Sequence, residues 1–99
     1  MAATVNKTSQ AEADIAAAIN HLLERNPRAA ERFVFGLHAL AIRLNELPEL
    51  YPLQRRSARP EWQCVRMAVL RRFSYIVFYT YEDNTVIIRR IVHGSRNEP

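Results

Sequence analysis

Residues 65–96, VRMAVLRRFSYIVFYTYEDNTVIIRRIVHGSR, hold three apolar runs broken by the Arg71-Arg72 pair and by Glu82-Asp83-Asn84, and close on His93-Gly94-Ser95-Arg96. Short runs rich in β-branched and aromatic residues, bounded by turn formers, read as consecutive strands of an antiparallel meander. In residues 62–70, Val65, Met67 and Val69 alternate with Cys64, Arg66 and Ala68. That alternation predicts one apolar face, with Arg66 projecting away from it. Residues 73–81 put Tyr75, Val77 and Tyr79 on one side and Ile76 and Phe78 on the other. Both sides are apolar, so this strand belongs in the sheet interior. Residues 85–92 supply the final strand.

Upstream the period changes from two to 3.6. Ser9-Gln10-Ala11-Glu12 matches a capping box, with Ser9 as the cap and Glu12 reaching back. Ala11, Ile15, Ala18, Ile19 and Leu22 follow as one helical stripe. Asn26-Pro27 ends this helix and starts another, Asn26 as N-cap and Pro27 at the first helical position, where no donor is lost. Ala30, Phe33, Val34, Leu37, Leu40, Ala41, Leu44 and Leu47 keep the 3–4 spacing until Pro48. So short a link implies an antiparallel helical hairpin. Residues 3–8 read as a short edge strand, and residues 48–61, with three prolines and no periodicity, as a surface loop. The fold class predicted is therefore α+β. A short N-terminal strand and an antiparallel helical hairpin pack on one face of a three- to four-stranded, mainly antiparallel sheet, with residues 1–99 as a single domain.

A hydrophobic content of 48% fits a packed chain rather than a disordered one. No apolar run approaches the roughly 20 residues of a membrane span, and the first residues lack the apolar centre of a signal peptide. A single cysteine, Cys64, excludes an internal disulfide and fits a reducing cytoplasm. One cysteine and three scattered histidines argue against a zinc site, and no pattern calls for a cofactor.

Charge is uneven. Residues 51–99 carry nine arginines against four acidic side chains, a net +5, whereas residues 1–50 carry five basic and six acidic side chains, a net −1. All basic residues but Lys7 are arginines, whose planar fork suits phosphate and carboxylate. The basic half predicts an anionic partner, nucleic acid or acidic protein. Arg66, Arg90 and Arg96 are candidates for that surface. If Arg66 lies beside Arg89 or Arg90, the sheet gains an anion-binding concavity. Arg71 and Arg72 read as solvated residues flanking a turn. His93 has the chemistry of a general acid or base, but no carboxylate near it in sequence would orient it, and the favoured reading is a strand-end histidine bonded to a backbone carbonyl. Gly94 reads as a positive-φ exit from the strand. Tyr79, with Tyr75 and Tyr81 on its side of the strand, would stack an unpaired base beside arginines. The favoured reading is again structural, core rings with a wet tip.

Several segments together resemble the RelE/ParE superfamily of type II toxin–antitoxin toxins. They are Thr8-Ser9-Gln10-Ala11-Glu12-Ala13-Asp14-Ile15, Asn26-Pro27-Arg28-Ala29-Ala30, Leu47-Pro48-Glu49-Leu50-Tyr51-Pro52, Val65-Arg66, Phe73-Ser74-Tyr75-Ile76-Val77-Phe78-Tyr79 and Val92-His93-Gly94-Ser95-Arg96. The match spans nearly the whole chain, and its closing segment is more similar to the ParE branch. The resemblance implies a cytoplasmic toxin neutralised by a cognate antitoxin and acting on DNA gyrase. RelE-like relatives, which cleave messenger RNA on the ribosome, carry further basic residues and a Tyr or His near the C-terminus, where this chain has only Asn97, Glu98 and Pro99 after Arg96. The alternatives are a RelE-like ribonuclease and a non-toxic interaction module. The expected antitoxin segment is extended or helical, and acidic.

Overall fold

The computed structural model describes residues 3–95. Strand β1 (Thr4–Lys7) leads into helix α1 (Ser9–Arg25) and helix α2 (Pro27–Glu46), and strands β2 (Arg66–Leu70), β3 (Tyr75–Glu82) and β4 (Thr85–His93) follow. The sheet order is β1-β4-β3-β2. β4 pairs antiparallel with β3, and β3 with β2, while β1 lies parallel to β4 at the other edge. The four-stranded mixed sheet carrying a helical hairpin is the α+β arrangement expected.

The hairpin owes its tightness to Asn26. Its backbone N–H caps α1 by donating to the Leu22 carbonyl at 2.7 Å, and its side-chain oxygen caps α2 by accepting from the Arg28 N–H at 3.0 Å. At the start of α1 the cap is Thr8, one residue earlier than the Ser9 of the expected capping box. The Thr8 hydroxyl accepts from the Ala11 N–H and donates to the Arg89 carbonyl, both at 3.0 Å. Ser9 has no such strand to hold, so tertiary anchoring selected the neighbouring hydroxyl.

One face of the sheet meets the helices. Ala11 and Ala18 of α1, Phe33, Leu40 and Leu44 of α2, and Ala68, Tyr75, Val77, Tyr79, Val86, Ile88 and Ile91 of the sheet form the main core. Val34 and Leu47, placed on the α2 stripe by spacing, are 45% and 54% exposed, Val34 at the lip of a cleft and Leu47 past the last turn as the C-cap. The opposite face has its own cluster of Val65, Ile76, Phe78 and Val92, with Trp62 and Met67 packed on it. β3 is thus buried on both sides, as its sequence predicts. Around β2 the expected alternation holds, with Val65 and Met67 on the second cluster and Arg66 and Ala68 on the opposite side, but that side is apolar too, Ala68 being 1% exposed in the main core, and Val69 is 44% exposed.

Residues 62–65 do not belong to β2, as the alternation suggested. Pro60 starts a single 3-10 turn, Pro60–Trp62, which swings the Trp62 ring edge-on against Phe78 at 5.9 Å between centroids. A second 3-10 turn, Arg71–Phe73, delays β3 to Tyr75, and Ser74 closes it with a left-handed φ of 57°. Between β3 and β4, Asp83 and Asn84 have φ of 51° and 57°. Two positive angles in a two-residue hairpin define a type I′ turn, which Asp and Asn tolerate better than most side chains. Gly94 has no positive φ, contrary to expectation. Its N–H donates to the Ser74 carbonyl, and a Cβ there would lie 3.1 Å from that oxygen, so close backbone approach favours glycine.

The loop after α2 is no loose surface segment. Gln54 and Ser57 are buried. The Gln54 side chain accepts from the Arg56 and Ser57 N–H groups at 2.9 Å and donates to the Ser57 and Trp62 carbonyls at 3.0 and 2.8 Å, meeting its full hydrogen-bonding capacity. Backbone bonds from Gln54 to Val65 and from Met67 to Pro52 tie the loop to the outer edge of β2.

Leu44→Ala should cost about 2–5 kcal/mol, because the side chain is fully enclosed and leaves a cavity. Phe35→Ala, on the solvent side of the same helix, should stay within about 0.5 kcal/mol of the parent. Chemical denaturation followed by circular dichroism measures both, and equal losses would contradict the hairpin-on-sheet packing.

Candidate functional site

Arg66 and Tyr79 face one another across β2 and β3. Both hold the chain that leaves α2. Arg66 Nη1 donates to the Tyr51 carbonyl at 2.7 Å, and its Nη2 lies 3.4 Å from Glu49 Oε2. The Tyr79 hydroxyl donates to the Pro48 carbonyl at 2.8 Å. Burial raises the Tyr79 pKa, only partly offset by the Tyr51 backbone and the Arg66 charge, so the hydroxyl keeps the proton it donates. Tyr75 and Tyr79 of β3 are buried in the main core, and Tyr81 packs against it partly buried.

Arg90 lies on β4, with β3 between it and Arg66. Its Nε donates to Asp14 Oδ2 of α1 at 2.8 Å, and the same oxygen accepts the Ile91 N–H at 2.9 Å. A register shift opposite Phe78 and Tyr79 leaves Arg89 as the extra residue of a bulge, its Nε donating to Thr80 Oγ1 at 3.2 Å. The conditional cluster of Arg66 with Arg89 or Arg90 therefore does not form. Each arginine is engaged by a different part of the fold.

His93 ends β4, exposed, with its ring edge-on to Tyr75 at 5.5 Å. Its Nδ1 accepts from the Ser95 N–H at 3.3 Å and lies 2.9 Å from Ser95 Oγ. That arrangement leaves Nε2 as the protonated nitrogen of the neutral ring. Its partner is this serine rather than the carbonyl expected from sequence. Arg96 lies outside the described residues.

Asp14 escaped the sequence reading, although it lies within the Ala11–Ile15 turn of α1. Burial raises its carboxyl pKa, but the Arg90 hydrogen bond and charge, the Ile91 N–H and the Gln10 amide outweigh that effect and hold it below the ordinary 3.8. A second group was missed as well. His21 and Arg25 of α1, Arg32 of α2, Arg72 of the β2–β3 connection and His93 line one concavity. The four-residue spacing of His21 and Arg25 put both on one helix face, but nothing local pointed to Arg72.

Two apolar surfaces complete the picture. Phe35 and Ile42 of α2 are 65% and 51% exposed. A cleft of about 320 Å³ between the helices and β1 is lined by Val5, Ile15, Ile19, Val34, Leu37 and Ile88, among others.

The model of one family, the ParE toxin of type II toxin–antitoxin systems (parDE), matches residues 5–98. The chain belongs to the ParE toxin family. Among solved structures this ParE-family chain is similar to the chromosomal ParDE toxin–antitoxin system from P. aeruginosa, at 22% identity over 92% of this chain and 95% of that one, with a TM-score of 0.73. It is also similar to the RelBE2 toxin–antitoxin complex from Mycobacterium tuberculosis, at 25% identity over 99% and 95%, with a TM-score of 0.60. No curated protein sequence matches it. The likeness to the ParDE structure, at its low identity, is one of fold. Among the described residues of this ParE-family chain, no helix is long and apolar enough to cross a membrane.

The depressed Asp14 carboxyl has a consequence for stability. Its contribution is full above the unfolded pKa near 3.8 and is lost as pH falls through the lower, folded value. Asp14→Asn should therefore flatten the acid loss of stability in that window, and at neutral pH cost about 1–3 kcal/mol through the weakened Arg90 and Ile91 bonds. Urea midpoints measured from pH 2 to pH 7 test this. Parallel curves for parent and variant would contradict it.

Proposed function

We propose that this ParE-family chain is the toxin of a toxin–antitoxin pair, that it acts by binding DNA gyrase, and that a cognate antitoxin neutralises it. The observation that carries the binding reading is the state of the sheet arginines. A phosphodiester-cleaving centre on the sheet would need sheet cations free to meet the charge that develops on the phosphate. Here Arg66 is engaged by Glu49 and the Tyr51 carbonyl, and Arg90 by Asp14. Among the described residues, His93 is bonded to Ser95 and to no carboxylate. Such arginines support the frame of a binding surface better than a catalytic set. The RelE-like reading, ribosome-dependent cleavage of messenger RNA, draws its support from the likeness to the RelBE2 complex.

The antitoxin reading draws on the apolar cleft beside β1 and the exposed Phe35 and Ile42. An edge strand accepts an added strand, and an apolar helix face accepts an amphipathic segment. The net +5 of residues 51–99 favours an acidic partner segment. Affinity for the antitoxin should fall as salt rises, since exposed charge pairs are screened over about 8 Å at physiological ionic strength. Titration calorimetry across a tenfold range of salt checks this, and constant affinity would remove the electrostatic part of the argument.

Expression of the chain without antitoxin tests the target. The expected outcome is arrested DNA synthesis with gyrase trapped on cleaved DNA, while messenger RNA stays intact. Codon-phased cleavage of translated messages with normal DNA synthesis would transfer the assignment to the ribonuclease reading. Normal growth would favour a non-toxic interaction module.

A further inference from the structure

We propose that the concavity bounded by His21, Arg25, Arg32, Arg72 and His93 is a binding site for a phosphate group. The site does not rest on the gyrase reading. It measures about 320 Å³ and collects residues from the end of α1, the second turn of α2, the β2–β3 connection and the end of β4. Among the described residues, no carboxylate lines it. Phe73 and Tyr75 form its apolar wall, with Phe33 packed behind them at 5.8 and 5.3 Å between centroids.

The arginines here differ from those of the sheet. Arg66, Arg89 and Arg90 are each engaged by another side chain. Among the described residues, the side chains of Arg25, Arg32 and Arg72 have no hydrogen-bond or ion-pair partner. Three unpaired cations lining one hollow repel one another, and a bound anion relieves that repulsion. The first turn of α2, which contributes Ala29 to the lining, also lacks an acidic residue to offset the positive end of its helix.

This arrangement selects phosphate over carboxylate. A carboxylate offers two oxygens in one plane and suits a single guanidinium fork. A phosphate offers tetrahedral oxygens and up to two charges, so forks approaching from α1, α2 and the β2–β3 connection can bond it together. The apolar wall lowers the local dielectric and strengthens each contact. The group can come from a nucleic-acid strand or from a free nucleotide.

The test titrates the purified chain with inorganic phosphate at constant ionic strength, following backbone amide shifts and melting temperature. Saturable shifts at residues 72–75 and 93–94, with a raised melting temperature, are expected. The double variant Arg32→Ala/Arg72→Ala should bind about tenfold more weakly or worse, with its melting temperature in phosphate-free buffer not lowered, since both side chains are exposed and unpartnered and their loss relieves repulsion. Arg28→Ala/Arg55→Ala, which removes equal charge outside the concavity, should bind as the parent does. An equal response to chloride or acetate, or an equal loss in the control variant, would overturn the site. Binding of a glutamate-rich peptide in the concavity without binding of phosphate would overturn it in favour of an acidic protein. A mononucleotide and a short oligonucleotide then separate the sources. Tighter binding of the oligonucleotide, lost in the double variant, supports a strand, and equal or tighter binding of the mononucleotide supports the free nucleotide.

Discussion

Strand β4 runs nine residues, while its parallel neighbour β1 runs four. Past Ile88, the outer edge of β4 has no strand to bond, and unpaired backbone groups there would cost stability or invite another chain. The start of α1 takes the place of the missing strand. The Thr8 N–H donates to the Ile88 carbonyl, the Thr8 hydroxyl donates to the Arg89 carbonyl, and Asp14 accepts the Ile91 N–H. Arg90 then balances the Asp14 charge. These bonds set where α1 crosses the sheet. Asn26 sets α2 against α1, and the position of the main core follows.

The loop of residues 48–63 solves a similar problem at the opposite edge. Among the described residues no further strand lies beyond β2, and Gln54, Pro52 and the Leu53–Arg66 bridge occupy its edge instead. Arg66 and Tyr79 pin the start of that loop, and Trp62 covers the second apolar cluster at its end. The arginines at both edges are thus part of the scaffold. Charge left over gathers elsewhere, around the turn between the helices and the end of β4, where none of the described residues lining the hollow is acidic. The apolar cleft and this basic concavity share no lining residue. A partner in one therefore need not compete directly for contacts with a ligand in the other.

Much of this was legible in the residues themselves. Helical spacing with Asn26-Pro27 between two stripes specified the hairpin, because capping and proline geometry are local. The doubly apolar Tyr75–Tyr81 run specified an interior strand, because burial on two faces excludes alternation. The ParE family relationship was legible in the order of the segments. Errors fell where one residue type serves two purposes. Alternation carried the second strand back to Trp62, although Pro60 starts a turn there. Gly94 suggested a positive φ, although what favours glycine there is room for the Ser74 carbonyl.

The sequence by itself determined the order and type of the elements, since periodicity, caps and turn residues act within a few positions. Only the tertiary structure decided what the charged side chains do. Asp14 and Arg90 are 76 residues apart, and Arg66 meets Glu49 across 17. A charge's role depends on which partner folding brings within about 3 Å, and no local pattern records that distance. The same reason hid the group of Arg25, Arg32 and Arg72. They lie on three elements, and only the packed hairpin and the β2–β3 turn bring them around one hollow.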